Sequence, residues 1–169
     1  MAEYEIIKNS SGDSYKINTI HLLFEKGTLG SKKIDDKTYS TKPLINYKNE
    51  ILFPELAILK IYKEDNWNGV WIDTFHKKYL DNMPYNKLSN VTLPDNQNSI
   101  IEKIKTLNNN KLSGFWDVFL WKNNKEFMFI ESKGIPSNDK IRNTQVVWLE
   151  SALKILPNKS FLIAIWDYK

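Results

Sequence analysis

The clearest alternation of hydrophobic and polar positions lies in residues 114–150 and predicts two strands joined by a short turn, then a loop and a helix. Every second residue of a strand shares a face, so Asp117 falls among aromatic residues on one face of the first strand. Glu131 and Lys133 continue an aromatic face of the second strand. Charged side chains are rarely buried unless they are paired or bind a metal. These three residues therefore mark a candidate site.

The length of the turn decides how these charges face each other. If the turn consists of residues 123–125, then Lys122 pairs with Glu126 and Asp117 lies opposite Glu131. Directly opposed residues have Cβ atoms roughly 5 Å apart, so the two carboxylates would repel unless one binds a proton or a cation lies between them. Oxygen ligands in a chain without cysteine favour Mg²⁺ or Mn²⁺ over zinc. A two-residue turn at 123–124 would shift the register and remove this opposition.

The remaining segments predict a single α/β domain spanning residues 1–169, with an N-terminal extension over 1–50. In the extension, Tyr4–Lys8 indicates a short strand, whereas residues 17–24 fit a strand or a short helix. The other predicted elements, in chain order, are a helix over 54–65, a turn at 66–69, a strand over 70–75, a long loop over 77–96, a helix from Asn98 or Ser99 to about 108, the two strands described above, a helix capped by Ser137 or Asn138, and a strand over 161–166.

A family resemblance joins these segments. Asp117, followed after thirteen residues by Glu131-Ser132-Lys133 and then by a helix carrying Gln145, resembles the PD-(D/E)XK nuclease superfamily. Segments 114–117 and 145–149 are most similar to its VRR-NUC and Holliday-junction-resolvase branch. Trp116 stands where the superfamily name has proline, at a position that varies among its members. The resemblance implies a restriction-endonuclease-like α-β-β-β-α-β core with a mixed central sheet over residues 54–166, plus an inserted loop and helix.

This resemblance implies a metal-dependent nuclease that hydrolyses phosphodiester bonds in nucleic acid, with DNA as the expected substrate and a homodimer as one option. The implied cofactor is Mg²⁺ or Mn²⁺. The implied metal ligands are Asp117, Glu131, the Ser132 carbonyl and Glu55. The further catalytic groups are Lys133 and Gln145, and the implied nucleic-acid contacts are Lys140 and Arg142. Glu55 could instead be an exposed residue at the positive end of its helix, and Gln145 could simply cap nearby backbone.

Composition narrows the class without deciding it. The chain has 169 residues, of which 41% are hydrophobic, and it has no cysteine, which excludes disulfides and thiolate metal sites. A net charge of +4 is compatible with nucleic acid, but the many Lys, Asn and Ile residues could equally reflect an AT-rich coding bias. No apolar run approaches a membrane span, and the start lacks the apolar centre of a signal peptide. A cytoplasmic protein without a membrane partner is therefore expected.

Two other readings of the charged cluster stay open. The same fold could serve as a catalytically inactive nucleic-acid-binding or assembly module, because a fold does not fix a function. Asp117, Glu131 and Lys133 could also form a purely structural ion-pair cluster. Metal binding and metal-dependent cleavage separate these readings from the nuclease hypothesis.

Overall fold

The computed structural model describes residues 3–169 as an α/β structure with a mixed central sheet. Nine strands are present in this part of the chain, which are β1 (Glu3–Lys8), β2 (Ser14–Lys26), β3 (Ile45–Tyr47), β4 (Glu50–Leu52), β5 (Asn68–Asp73), β6 (Lys78–Leu80), β7 (Val118–Lys122), β8 (Glu126–Gly134) and β9 (Phe161–Tyr168). The three α-helices of the same part are α1 (Pro54–Glu64), α2 (Asp95–Leu107) and α3 (Asn143–Leu153). Within residues 3–169, none of these helices is long and apolar enough to span a membrane.

The sheet has the strand order β4-β3-β2-β9-β8-β7-β5-β6, and β1 pairs with the first part of β2. Strands β5, β7 and β8 are antiparallel neighbours, whereas β9 is parallel to both β8 and β2. A parallel pair needs a crossover connection, and α3 supplies it between β8 and β9. The sheet is therefore antiparallel from β8 to β6, parallel from β8 through β9 to β2, and antiparallel again where β2 pairs with β1 and β3.

The hairpin of β7 and β8 has the three-residue turn. Lys122 pairs with Glu126 and Val118 pairs with Ile130. The predicted register is therefore confirmed for residues 118–122, and Asp117 and Glu131 are the next residues beyond the pair of Val118 and Ile130. Asn123 and Asn124 both adopt a φ of 53°, in the left-handed region that asparagine tolerates better than most residues. The two turn asparagines thus fix the register on which the candidate site depends.

Helices cover both faces of the sheet. Helix α1 packs on the face that carries Trp71, Val118, Leu120 and Ile130. Helices α2 and α3 cover the opposite face, with the fully buried Trp148 of α3 against a cluster of aromatic side chains. Burial of this apolar surface on both faces is the main stabilising term of such a three-layer arrangement.

The N-terminal segment is part of the sheet. Tyr4–Lys8 lies in a strand as predicted, and residues 17–24 belong to the long strand β2 and not to a helix. Residues Asn18–Phe24 pair with β9, so this segment extends the central sheet on its parallel side. The pattern did not predict β3 and β4, which are only three residues long each.

Several predicted boundaries are wrong. Helix α3 begins at Asn143 and is not capped by Ser137 or Asn138, because Ser137 Oγ instead bonds within its own turn and Asn138 has a φ of 52°. Helix α2 begins at Asp95, directly after Pro94, and not at Asn98 or Ser99. Strand β5 covers Asn68–Asp73, so it includes part of the predicted turn and excludes residues 74–75. The predicted loop over 77–96 contains β6, which pairs with β5. The helix predicted over 54–65 is confirmed as α1.

Candidate active site

Asp117 lies at the point where the hairpin meets the edge of β5. It directly precedes β7, and its Oδ2 accepts a hydrogen bond of 2.9 Å from the backbone N–H of Ser132 on β8. Its own carbonyl accepts a bond of 2.6 Å from the N–H of Ile72 on β5. Asp117 is therefore fixed between two strands, with its carboxylate directed at β8.

Glu131, Lys133 and Gln145 form a closed polar cluster on the same side of the sheet. Glu131 is 1% exposed, and its Oε1 accepts hydrogen bonds from Lys133 Nζ at 2.8 Å and from the side-chain amide of Gln145. The Gln145 Oε1 accepts from Lys133 Nζ at 3.2 Å and from the Arg142 backbone N–H at 2.9 Å. Gln145 thus caps the start of α3, and its side-chain amide also bonds to Glu131 of the candidate site.

Glu55 joins the cluster from α1. It is buried near the start of this helix, so it is not the exposed residue of the alternative reading. Its Oε1 accepts a bond of 2.7 Å from Lys42 Nζ, and its charge helps to raise the pKa of Asp117. Sheet and helix therefore bring three carboxylates close together.

Lys42 is a site residue that the sequence did not indicate. Besides its bond to Glu55, its Nζ lies 4.9 Å from the centre of the Trp71 ring and 5.5 Å from that of Phe53. Burial opposes its charge, but attraction to Glu55, then to Asp117, raises the pKa of Lys42 above its ordinary value. It comes from the polar segment between β2 and β3, where no local pattern distinguishes it from the neighbouring lysines.

The carboxylates disturb each other's ionisation. Burial raises the pKa of Asp117 well above its ordinary value, and repulsion from Glu131 and Glu55 adds to the rise. Burial also raises the pKa of Glu131, although Lys133 and Gln145 partly offset this by bonding to its ionised form. The negative charge at this site is therefore only partly compensated by the two lysines.

Two observations bear on whether these residues fit a metal ion. Among residues 3–169, Glu55 Oε2 and Glu131 Oε2 are buried and have no hydrogen-bond partner. Such oxygens are costly to leave unpaired, and a cation beside Asp117 would satisfy them. In the conformation adopted by residues 3–169, however, no three acidic or histidine side chains are grouped as the ligands of a metal ion. The donor chemistry fits Mg²⁺ or Mn²⁺, and binding would require the acidic side chains to move closer together.

Comparison with family models, curated proteins and solved structures found no match. The chemistry of the site is therefore interpreted from its own residues.

The two predicted nucleic-acid contacts lie in different places. Lys140 lines a small pocket beside Lys133 and Gly134, in the loop between β8 and α3. Arg142 lines a separate, larger cleft, and its charge partly opposes the rise in the pKa of Glu131. Ser132 lies on β8 between Glu131 and Lys133, and only its N–H contacts Asp117. The structure thus brings the acids, Lys133 and Gln145 together and leaves Lys140 and Arg142 at the rim.

Proposed function

We propose that this protein is a metal-dependent nuclease that hydrolyses phosphodiester bonds in DNA. The observation that carries the proposal is the buried cluster of three carboxylates, Glu55, Asp117 and Glu131, with unpartnered oxygens on two of them. Perturbed carboxyl pKa values and a deficit of positive charge are typical of functional sites and unfavourable for a purely structural one.

A restriction-endonuclease-like core is part of this proposal. Its support is the order α1, β5, β7, β8, α3, β9, with β6 and α2 inserted between β5 and β7. Strands β5, β7 and β8 are antiparallel neighbours, and β9 is parallel to β8. The charged residues lie at the junction of these elements, as the resemblance of the Asp117 and Glu131-Ser132-Lys133 motif implies.

Asp117 and Glu131 would be the principal metal ligands, together with the Ser132 carbonyl, and Glu55 would bind directly or through a water. A bound Mg²⁺ or Mn²⁺ supplies an acidified water and charge neutralisation at a phosphate oxygen. The carboxylates must be ionised to bind it, and the pKa values of Asp117 and Glu131 are raised, so metal binding should release protons.

The remaining residues act through charge and position. Lys133 bonds to both Glu131 and Gln145, so its ammonium group is fixed beside the carboxylates, where it would orient the attacking water and stabilise the charge of the transition state. Gln145 holds Glu131 and Lys133 at a fixed separation. Lys42 offsets the charge of Glu55, and its charge also favours the ionised form of Asp117.

Cleavage of labelled linear, single-stranded and branched DNA in the presence of Mg²⁺ or Mn²⁺ tests the proposal. Lys133→Ala is compared with Lys125→Ala, which removes an exposed lysine from the turn of the same hairpin. We expect metal-dependent cleavage by the wild type and by Lys125→Ala, and a loss of about 10²-fold or more in Lys133→Ala.

The outcomes separate the candidate functions. Cleavage that persists in Lys133→Ala would contradict the assigned site. Metal-independent DNA binding without cleavage by any of the three proteins would favour the inactive binding module.

A further inference from the structure

A cleft of about 800 Å³ lies between the segment after β5, the end of α2 and the start of α3. Its lining carries four basic side chains, which are Lys77, Lys105, Lys111 and Arg142. Among the described residues that line the cleft, none is acidic, although Glu102 lies 3.6 Å from Lys105 outside it. A concave surface with one sign of charge concentrates the opposite charge, here the phosphates of a nucleic acid.

An exposed aromatic ring lies in the same cleft. Phe75 is 77% exposed, which is unusual for a phenylalanine in a chain with a well-filled core. Its ring meets the His76 ring edge-to-face at 4.8 Å, and His76 is fixed by a bond of 2.7 Å from Nδ1 to Asp73. Phe75 is therefore an exposed ring that packs against a fixed histidine in a cleft lined by basic side chains.

The cleft borders the candidate active site. Arg142 lines the cleft, its backbone N–H donates to Gln145 inside the site, and its charge acts on Glu131. Thr74, which also lines the cleft, directly follows Asp73, whose charge acts on Lys42.

We propose that this cleft binds a single-stranded segment of DNA, with its phosphates against the four basic side chains and one base stacked on Phe75. The proposal rests on the proposed nuclease function and specifies its substrate. An unpaired base offers an open face for stacking, whereas in a duplex the neighbouring base pairs cover both faces. Basic residues interleaved with an exposed ring are the combination that single-strand binding requires.

Fluorescence anisotropy with a labelled oligothymidylate of about 12 nucleotides tests the cleft in a buffer with chelator, where metal-dependent cleavage cannot occur. Phe75→Ala should weaken binding about tenfold, while Phe75→Trp should retain it, because the larger ring still stacks. Both variants should unfold at the wild-type temperature, since the side chain is exposed.

The charged lining is tested on α2 with a matched pair. Lys105→Ala should weaken binding and reduce the salt dependence by about 0.7 in the slope of log affinity against log salt. Lys103→Ala removes an exposed lysine of the same helix that does not line the cleft, and should leave binding unchanged.

The proposal is overturned if Phe75→Ala binds the oligonucleotide as the wild type does, or if Lys103→Ala and Lys105→Ala have equal effects. It is also overturned if a blunt duplex of the same length binds as tightly as the single strand and is equally sensitive to Phe75→Ala. These results are independent of cleavage. A Phe75-dependent interaction in a protein that never cleaves DNA would refute the nuclease function and leave the cleft as assigned.

Discussion

Two acidic clusters lie at neighbouring points of the sheet and are built in opposite ways. At the end of β5, Asp73 is 5% exposed, and its carboxylate accepts bonds from the Tyr39 hydroxyl, from His76 Nδ1 at 2.7 Å and from the His76 N–H at 3.3 Å. At Asp117 and Glu131 the carboxylates repel each other, and the pKa of each is raised, chiefly by burial.

We interpret the difference as that between an acid that stabilises the fold and one proposed to bind a metal ion. Both oxygens of Asp73 are bonded, and burial together with the bond to Asp73 raises the pKa of Tyr39, which keeps its hydroxyl a donor. Such a network stabilises the fold and anchors the segment that carries Lys42. The charges at Asp117 are instead left partly uncompensated, which costs stability and leaves capacity to bind a cation.

Replacing one acid of each cluster by asparagine should give the largest difference in cleavage between two variants. Asp117→Asn should reduce metal-dependent DNA cleavage by about 10²–10³-fold, because it removes a metal ligand and a negative charge. Asp73→Asn should leave cleavage by the folded protein within about threefold of wild type, since both carboxylate oxygens of Asp73 are already bonded to Tyr39 and His76. Single-turnover cleavage rates at saturating Mg²⁺ measure both. Equal losses in the two variants would remove the distinction between the clusters.

The free energy of unfolding should respond in the opposite way to cleavage, with the larger loss at Asp73. Asp73→Ala should lower the free energy of unfolding by about 2–3 kcal/mol, because the buried Tyr39 hydroxyl and the His76 ring lose their acceptor. Tyr39→Phe, which removes one donor from the same network, should cost about 1 kcal/mol. Asp117→Asn should be neutral or stabilising without metal, because it relieves repulsion. Urea unfolding measures all three, and a large destabilisation by Asp117→Asn would assign this acid a structural role.

The charge of Lys42 interacts with acids of both clusters, and removing it should reduce cleavage by less than Asp117→Asn and by more than Asp73→Asn. Lys42→Met retains the apolar stem over Trp71 and Phe53 but removes the charge opposite Glu55. Cleavage should fall about tenfold, because the pKa of Asp117 rises further and its ionised form becomes rarer. Lys37→Met changes an exposed lysine of the same segment and is the control. Equal rates in the two variants would exclude Lys42 from the site.

The pH dependence of stability gives the smallest and most specific effect. The pKa values of Asp117 and Glu131 are higher in the folded protein than in the unfolded chain. At any pH between the unfolded-chain pKa and the raised pKa, the folded state therefore binds more protons than the unfolded state. The free energy of unfolding should therefore fall as pH rises from the ordinary carboxyl range through the raised pKa values. The fall should be smaller in Asp117→Asn and in the presence of Mg²⁺. Urea unfolding across this interval measures it, and identical profiles for wild type and Asp117→Asn would contradict it.

The sequence predicts what short separations determine. The pairing of Lys122 with Glu126 follows from the turn length, and Glu131 and Lys133 share a face because they are two residues apart on one strand. The placement of Lys42 against Glu55 and of Tyr39 against Asp73 follows from contacts between distant segments that no local pattern encodes. Strand β6 was missed for the same reason, since its three residues are held mainly by pairing with β5.

A calorimetric titration of Mn²⁺ into the wild type and Asp117→Asn, repeated in two buffers of different ionisation enthalpy, tests the central claim most directly. The buried carboxylates with raised pKa values should bind the ion in the wild type with release of protons, and Asp117→Asn should lose most of this binding. Absence of binding by the wild type, or equal binding by Asp117→Asn, would contradict the assignment of this cluster as a metal-dependent nuclease site.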